Sequence, residues 1–139
     1  MISIRTGSDV ATTAVKNLWD KIEFARGRDP ETIRLALEET DLFVHAWDGD
    51  RMVATARVIT DGAYYATLWD VIVDPDYQGR GIGTDVMRRA VEPFVGRGFS
   101  FIALYSADGK QGFYEKLGFD CHPRGMKIRE DHWPFSRDS

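Results

Sequence analysis

A chain of 139 residues with 43% hydrophobic side chains fits one domain with a real core. The net charge of −4 argues against nucleic acid as the main partner, because a phosphate backbone needs clustered Lys and Arg, and it weakly favours a cationic one. No run of eighteen apolar residues offers a membrane span, Met1-Ile2-Ser3-Ile4-Arg5 lacks the regions of a secretion signal, and the single Cys121 rules out an internal disulfide, so the expectation is a soluble cytoplasmic protein.

Taken in order, Ile2 to Arg5 alternates apolar and polar residues as a short strand does. Asp9 opens a helical stretch, with Val10, Ala14, Leu18 and Ile22 at four-residue spacing, that is expected to end between Phe24 and Gly27. Asp29 before Pro30 reads as an N-cap followed by proline at the first helical position, which starts a second helix carrying Ile33, Leu35 and Leu37. The linker from Ala25 to Arg28 is expected to be exposed. From Leu42 the period becomes extended: Leu42 to Trp47, a turn at Asp48-Gly49-Asp50, Met52 to Thr60, a turn at Asp61-Gly62, then Ala63 to Val73. Three strands joined by tight turns make an antiparallel meander.

The third strand feeds Asp74-Pro75-Asp76 and then Gln78-Gly79-Arg80-Gly81-Ile82-Gly83-Thr84. Glycines carry no Cβ, so successive N–H groups can point one way and the backbone can approach a ligand, which makes an anion cradle at a helix N-terminus near Gly81. No lysine follows as a P-loop requires, and glycines spaced by two miss the Gly-x-Gly-x-x-Gly dinucleotide pattern. The helix beyond places Val86, Met87, Ala90, Val91 and Phe94 on one face, with Pro93 ending or kinking its last turn. Phe99 to Tyr105 is an apolar strand reached by a right-handed crossover, so it pairs in parallel with its predecessor. Gly109 to Leu117 forms a short helix stopped by Gly118, Phe119 to Ile128 returns as a last strand or hairpin interrupted at Pro123-Arg124-Gly125, and the tail after about Arg129 is expected to be flexible.

The segment Gln78 to Gly83 resembles the Gln/Arg-x-x-Gly-x-Gly/Ala loop of the GCN5-related N-acetyltransferases (GNATs), and Phe113-Tyr114-Glu115-Lys116-Leu117-Gly118-Phe119 resembles their Phe-Tyr-x-x-x-Gly-Phe segment. Leu68 to Pro75 and Phe119 to Lys127 look most like a bacterial branch similar to plant-type serotonin N-acetyltransferases. The resemblance implies a single α/β domain over 1–139, with a mixed, mostly antiparallel sheet flanked by helices and splayed between strands 4 and 5. It implies acetyl-CoA as cosubstrate, held by the backbone of Val71, Ile72 and Val73 along the pantetheine and by Gln78, Gly79, Arg80, Gly81, Ile82, Gly83 and Thr84 at the pyrophosphate, with Tyr114 beside the sulfur. Many family members carry Asn where this chain has Ala107, next to Asp108, so the hold on the pantetheine differs on that side. A homodimer is common in the family and is the oligomer that the resemblance suggests.

Acyl transfer to an amine needs a neutral nucleophile, a stabilised oxyanion and a proton for the departing thiolate. Tyr114 is the candidate proton donor, since a phenol of pKa about 10 is protonated at neutral pH and a thiolate of pKa about 8.5 can share its proton. Asp70 is the odd carboxylate in an apolar strand: it serves as proton acceptor, as anchor for a cationic substrate, or as a structural carboxylate bonded to a neighbouring strand or loop. Trp69, Tyr64, Tyr65, Trp47 and Phe24 either line an aromatic acceptor pocket or belong to the core, and Arg26 and Arg28 either touch an acidic group of substrate or cofactor or lie solvated. His45 sits mid-strand, and Cys121-His122 with His132 lack zinc spacing, so no metal is expected. Cys121 has no activating constellation beside it, which favours direct attack in a ternary complex over an acyl-enzyme. The expected activity is N-acetylation of a small primary amine; a protein lysine or N-terminal acetyltransferase and a non-catalytic acyl-CoA sensor remain the alternatives.

Overall fold

Strands β2 (Leu42–Asp48), β3 (Arg51–Thr60) and β4 (Tyr65–Val73) form the expected antiparallel meander, because each is an apolar extended run closed by an Asp/Gly turn. The computed structural model describes residues 1–135, in two units: Met1–Ala107, and the segment from Asp108 on. In the first unit β1 (Ile2–Thr6) pairs antiparallel with β2, and β5 (Phe101–Leu104) pairs in parallel with β4, giving the order β1-β2-β3-β4-β5. Among the described residues no helix is long and apolar enough to cross a membrane.

Helices α1 (Thr12–Trp19) and α2 (Pro30–Glu38) cover one face of the sheet with a core of Val15, Leu18, Trp19, Ile33, Leu37, Phe43, Met52 and Ile72. The alternate strand residues Val44, Ala46, Ala54, Ala56 and Val58 are also buried, beneath α3 (Ile82–Val91), which packs on β2, β3 and β4. At α2 the cap is as expected: Asp29 accepts from the Thr32 N–H at 3.1 Å and Pro30 takes the first helical position. Leu35 lies on the exposed side of that helix, whereas Ile33 and Leu37 are buried.

Helix α1 stops at Trp19, sooner than its periodicity suggests, and a 3-10 turn at Glu23–Ala25 succeeds it. The cause is local bonding. The Asp20 carboxylate accepts from the Gly27 N–H at 3.0 Å and from Lys16 at 3.2 Å, while Arg26 Nε donates to the Asp20 carbonyl at 2.9 Å. The linker is thereby folded back onto the helix end.

In the second unit, α4 (Gln111–Lys116) ends in a Schellman cap: the Phe119 N–H donates to the Tyr114 carbonyl at 3.1 Å and the Gly118 N–H to Glu115 at 3.0 Å, with Gly118 at φ 95°. The rings of Tyr114 and Phe119 meet edge to face at 6.0 Å, the apolar contact that accompanies such a cap. The expected strand at Phe119–Ile128 is not formed: these residues carry no ladder bonds, and Pro123 and Gly125 interrupt the segment. A 3-10 turn occupies Glu130–His132, and the expected flexibility of 136–139 lies outside the described residues.

His45, 3% exposed, joins β1 to the core: Nε2 donates to the Gly7 carbonyl at 2.9 Å, which leaves Nδ1 to accept from the Trp47 indole N–H at 2.7 Å. The neutral ring satisfies both bonds; a protonated one loses the second. Burial depresses the pKa, the Gly7 carbonyl partly restores it, and Arg5 adds to the depression. The unfolded chain thus takes up the proton first, so this contribution to stability is complete above about pH 6.5 and declines as pH falls below it. The Tm advantage of wild type over His45→Gln is expected to shrink between pH 7.5 and pH 5, and thermal melts across that range check it.

Candidate functional site

The site is organised by a fault in β4. Trp69 pairs with Arg57 and Ile72 with Thr55, so two residues of β4, Asp70 and Val71, stand opposite the single Ala56. Asp70 is, among the described residues, the one non-glycine with positive φ, at 48°, in a bulge position that usually takes glycine. The bulge places Trp69 and Ile72 on the same face, three residues apart, and bends β4 where its parallel partner ends. Pairing with β5 runs from Tyr65↔Phe101 to Leu68↔Leu104, so among the described residues no strand pairs with 69–73 on that side.

The edge presents specific groups. The Asp74 N–H donates to the Val53 carbonyl of β3 at 2.8 Å, so by strand alternation the N–H and carbonyl of Val73 face the open side. Gln78 Nε2 donates to that Val73 carbonyl at 3.3 Å, leaving the N–H.

Asp70 itself is locked. Its side chain is 5% exposed, and its oxygens accept from Arg57 Nε at 2.8 Å and pair with Arg28 Nη1 at 3.0 Å. Its carbonyl accepts from Thr55 Oγ1 at 2.9 Å, and Thr55 accepts from the Trp19 indole at 3.1 Å. Beside it Trp69, 36% exposed, contacts the Tyr105 ring at 5.9 Å, while Tyr65 stacks on Phe101 at 6.3 Å. Of the other aromatic candidates Tyr64 and Phe24 are exposed, and Trp47 packs against the core.

Beyond Val73 the chain turns through Pro75–Tyr77 into the glycine loop. Gly79 and Gly81 have φ near 80°, with open space where a Cβ would stand, and Gly81 caps α3 in the left-handed conformation. The first-turn N–H groups of Ile82, Gly83 and Thr84 precede the first helical bond, from Asp85 to Gly81 at 3.1 Å, and find no partner among the described residues. Unpaired amides at the positive end of a helix dipole suit a phosphate. Arg80 lies over the Tyr77 ring at 4.9 Å and donates to the Asp76 carbonyl at 3.2 Å.

The turn is anchored by Asp74, whose side chain is 1% exposed. It accepts from Lys21 at 2.7 Å, Arg51 at 2.8 Å and the Asp76 N–H at 2.9 Å. Burial pushes its carboxyl up, and the bonds from Lys21, the Asp76 amide and Arg51 outweigh this and hold it below the usual range. Arg51 also lies over Tyr77 at 5.1 Å, and the Tyr77 hydroxyl donates to Asp48 at the end of β2. Lys21 and Arg51 also line a groove of about 440 Å³ between α1 and the β2–β3 turn.

In the second unit Tyr114 is 9% exposed, between Phe113 at 5.0 Å and Phe119, and burial pushes its phenol up. Cys121 is exposed.

Residues 12–119 match the model of the Acetyltransferase (GNAT) family. The chain belongs to the GNAT family. A GNAT relative from Arabidopsis thaliana, GCN5-related N-acetyltransferase 1, chloroplastic, is 39% identical over 88% of this chain and 63% of its own length. Serotonin N-acetyltransferase 2, chloroplastic, from Oryza sativa subsp. japonica is 40% identical over 87% and 62%, and Histone acetyltransferase TAP1 from Glycine max is 31% identical over 91% and 59%. This chain thus spans about three-fifths of the length of these relatives. A GNAT family acetyltransferase of known structure from Streptococcus pneumoniae TIGR4 superposes with a TM-score of 0.76 at 29% identity, covering 94% of this chain and all of the other. A protein of unknown function from Staphylococcus aureus shares the fold at a TM-score of 0.81 and 21% identity, covering 93% and 99%.

Both sequence motifs of this GNAT chain have a geometric basis: one is a helix start with unpaired amides, the other a helix stop that pins a tyrosine ring. Sequence reading missed Asp74, Lys21, Arg51 and Arg57, because ion pairs across 53, 23 and 13 residues leave no periodic trace. An Asp before Pro at a strand end signals a capped turn, but not its burial. Asp74→Ala is expected to lower stability by roughly 1–3 kcal/mol, read as a drop in Tm.

Proposed function

We propose that this chain transfers the acetyl group of acetyl-CoA to the primary amine of a small molecule by direct attack in a ternary complex. The observation that carries the reading is one stretch of chain presenting two complementary features among the described residues: an unpaired strand edge at 69–73 and, nine residues past Val73, unpaired helix amides at 82–84. An extended pantetheine arm suits the first and a pyrophosphate the second.

When bound, acetyl-CoA supplies an acetyl group activated as a thioester. The protein's residues orient it. Gly79, Arg80, Gly81, Ile82, Gly83 and Thr84 receive the pyrophosphate through backbone N–H groups, with the Arg80 guanidinium adding charge. Val71, Ile72 and Val73 lend their backbone to the pantetheine, and Gln78 holds the Val73 carbonyl in place. Tyr114, a phenol that is protonated at neutral pH in any case and whose pKa burial raises further, is the proton donor that the family resemblance assigns to the leaving sulfur, and the proton shed by the attacking nitrogen restores the phenol through solvent. Asp70 enters as a positioning residue: with a guanidinium facing each oxygen, it fixes the bulge. Trp69 and Tyr105 offer an apolar wall to the acceptor, and the rice relative's name, serotonin N-acetyltransferase, supports a small amine. The soybean relative is named a histone acetyltransferase, so a lysine peptide belongs in the same assay.

Free-thiol release from acetyl-CoA is the test, with arylalkylamines, polyamines, amino sugars, amino acids and lysine peptides as acceptors. Release with one small-amine class, with kcat reduced roughly 100-fold or more in Tyr114→Phe, is expected. Silence with every acceptor, despite measurable acetyl-CoA binding, would sink the reading in favour of a sensor. Gly81→Val is expected to raise the KM for acetyl-CoA, since a β-branched residue resists positive φ and its side chain intrudes on the cradle.

A further inference from the structure

Arg28 is held more firmly than a loop arginine needs to be. Its guanidinium lies over the Trp19 ring at 5.0 Å; the Trp19 indole donates to Thr55, Thr55 donates to the Asp70 carbonyl, and the Asp70 carboxylate returns to Arg28 Nη1 at 3.0 Å. The four residues close a circuit. Lys16 donates to the Arg28 carbonyl at 2.9 Å and fixes the backbone as well.

Despite these restraints the Arg28 side chain is 36% exposed, whereas Asp70 and Arg57 are at 5% and 14%. Its Nε and Nη2 donors have no protein partner among the described residues, while Arg57 donates through Nε to Asp70 and through Nη1 to Thr40 Oγ1 at 3.0 Å. The neighbouring acids are committed: Asp20 to Lys16 and the Gly27 amide, Asp29 to Thr32. Two guanidiniums face one carboxylate, so the cluster carries a net positive charge, opposite in sign to the chain's −4. It sits at the bulge within the open edge, next to the point where Trp69 pairs in register with Arg57.

We propose that Arg28 receives an anionic group, a carboxylate or a phosphate, carried by the amine acceptor; this rests on the transfer activity proposed above. A fixed guanidinium fork pairs with such groups through two parallel N–H bonds, and a pre-oriented fork loses little entropy on doing so. A polycation meets the reverse situation: an Asp70 already saturated by two cations. The acceptor class is therefore an amine bearing its own negative charge, beside an aromatic wall.

Matched acceptors test this with thiol release: phenethylamine against phenylalanine for a carboxylate, ethanolamine against phosphoethanolamine for a phosphate. In wild type the anionic member of at least one pair is expected to show a kcat/KM roughly tenfold or more above its partner, and the responding pair identifies the group. Arg28→Gln should bring that ratio to about one through the KM of the anionic member, Arg28→Lys should restore part of it, and added salt should reduce it in wild type. A wild type that prefers the neutral member of both pairs, or treats the members alike, overturns this inference and leaves the transfer activity standing. Retention of the ratio in Arg28→Gln overturns it too, whereas no thiol release with any amine removes both. The wild-type ratios decide even if neither variant folds.

Discussion

The left-handed backbone at Asp70 is the constraint on which the site depends. A side chain at positive φ costs about 1 kcal/mol or more, and a bulge interrupts a ladder that would otherwise be continuous. The Arg57 hydrogen bond, the Arg28 ion pair and the Thr55 bond to the carbonyl offset this, since a hydrogen bond to a charged group contributes roughly 1.5–3 kcal/mol. The bonds prevail, and the strand bends where its parallel neighbour ends. The unpaired edge at 69–73 coincides with that bend, and Trp69 stands opposite Arg57 at the last regular pair before it.

A second buried carboxylate fixes the turn between β4 and the glycine loop. Asp74 ties the end of β4 to Lys21 beyond α1 and to Arg51 at the start of β3, so the turn before the cradle is braced from two elements. Tyr77 extends the brace, with a guanidinium above its ring from each of Arg51 and Arg80 and its hydroxyl on Asp48. The glycines can then be free of side chains without being free to wander. Preorganised amides need no rearrangement when an anion arrives, which is where their advantage over water lies.

The meander, the capped start of α2, the crossover through α3 and the glycine cradle were legible because each is written locally, as period, cap residue or missing Cβ. The linker after α1 was expected to be exposed, and Arg26 and Gly27 are, but Ala25 is buried, and nothing in these residues reveals that Asp20 accepts the Gly27 amide and that Arg28 reaches Asp70. The last strand was overcalled: Phe119 to Ile128 has the composition of a strand, yet a strand also needs a partner edge, and composition does not supply one. The Tyr114 segment was recognised as a motif, but its reason, a Schellman cap that sets a ring against Phe119, is visible only in the bonds.

For Asp70 the sequence could go no further than an acid in an apolar strand, with proton acceptor, cation anchor and structural role all open. Only the fold could bring Arg28 and Arg57, 42 and 13 residues away in the chain, to its two oxygens. Periodicity and turn chemistry are short-range properties, so the sequence by itself determined the meander, the capped start of α2, the crossover and the glycine-marked start of α3. Charge pairing depends on distances between elements, and so the state of Asp70, the anchoring of Asp74 and the half-exposed fork of Arg28 were decided by tertiary structure alone.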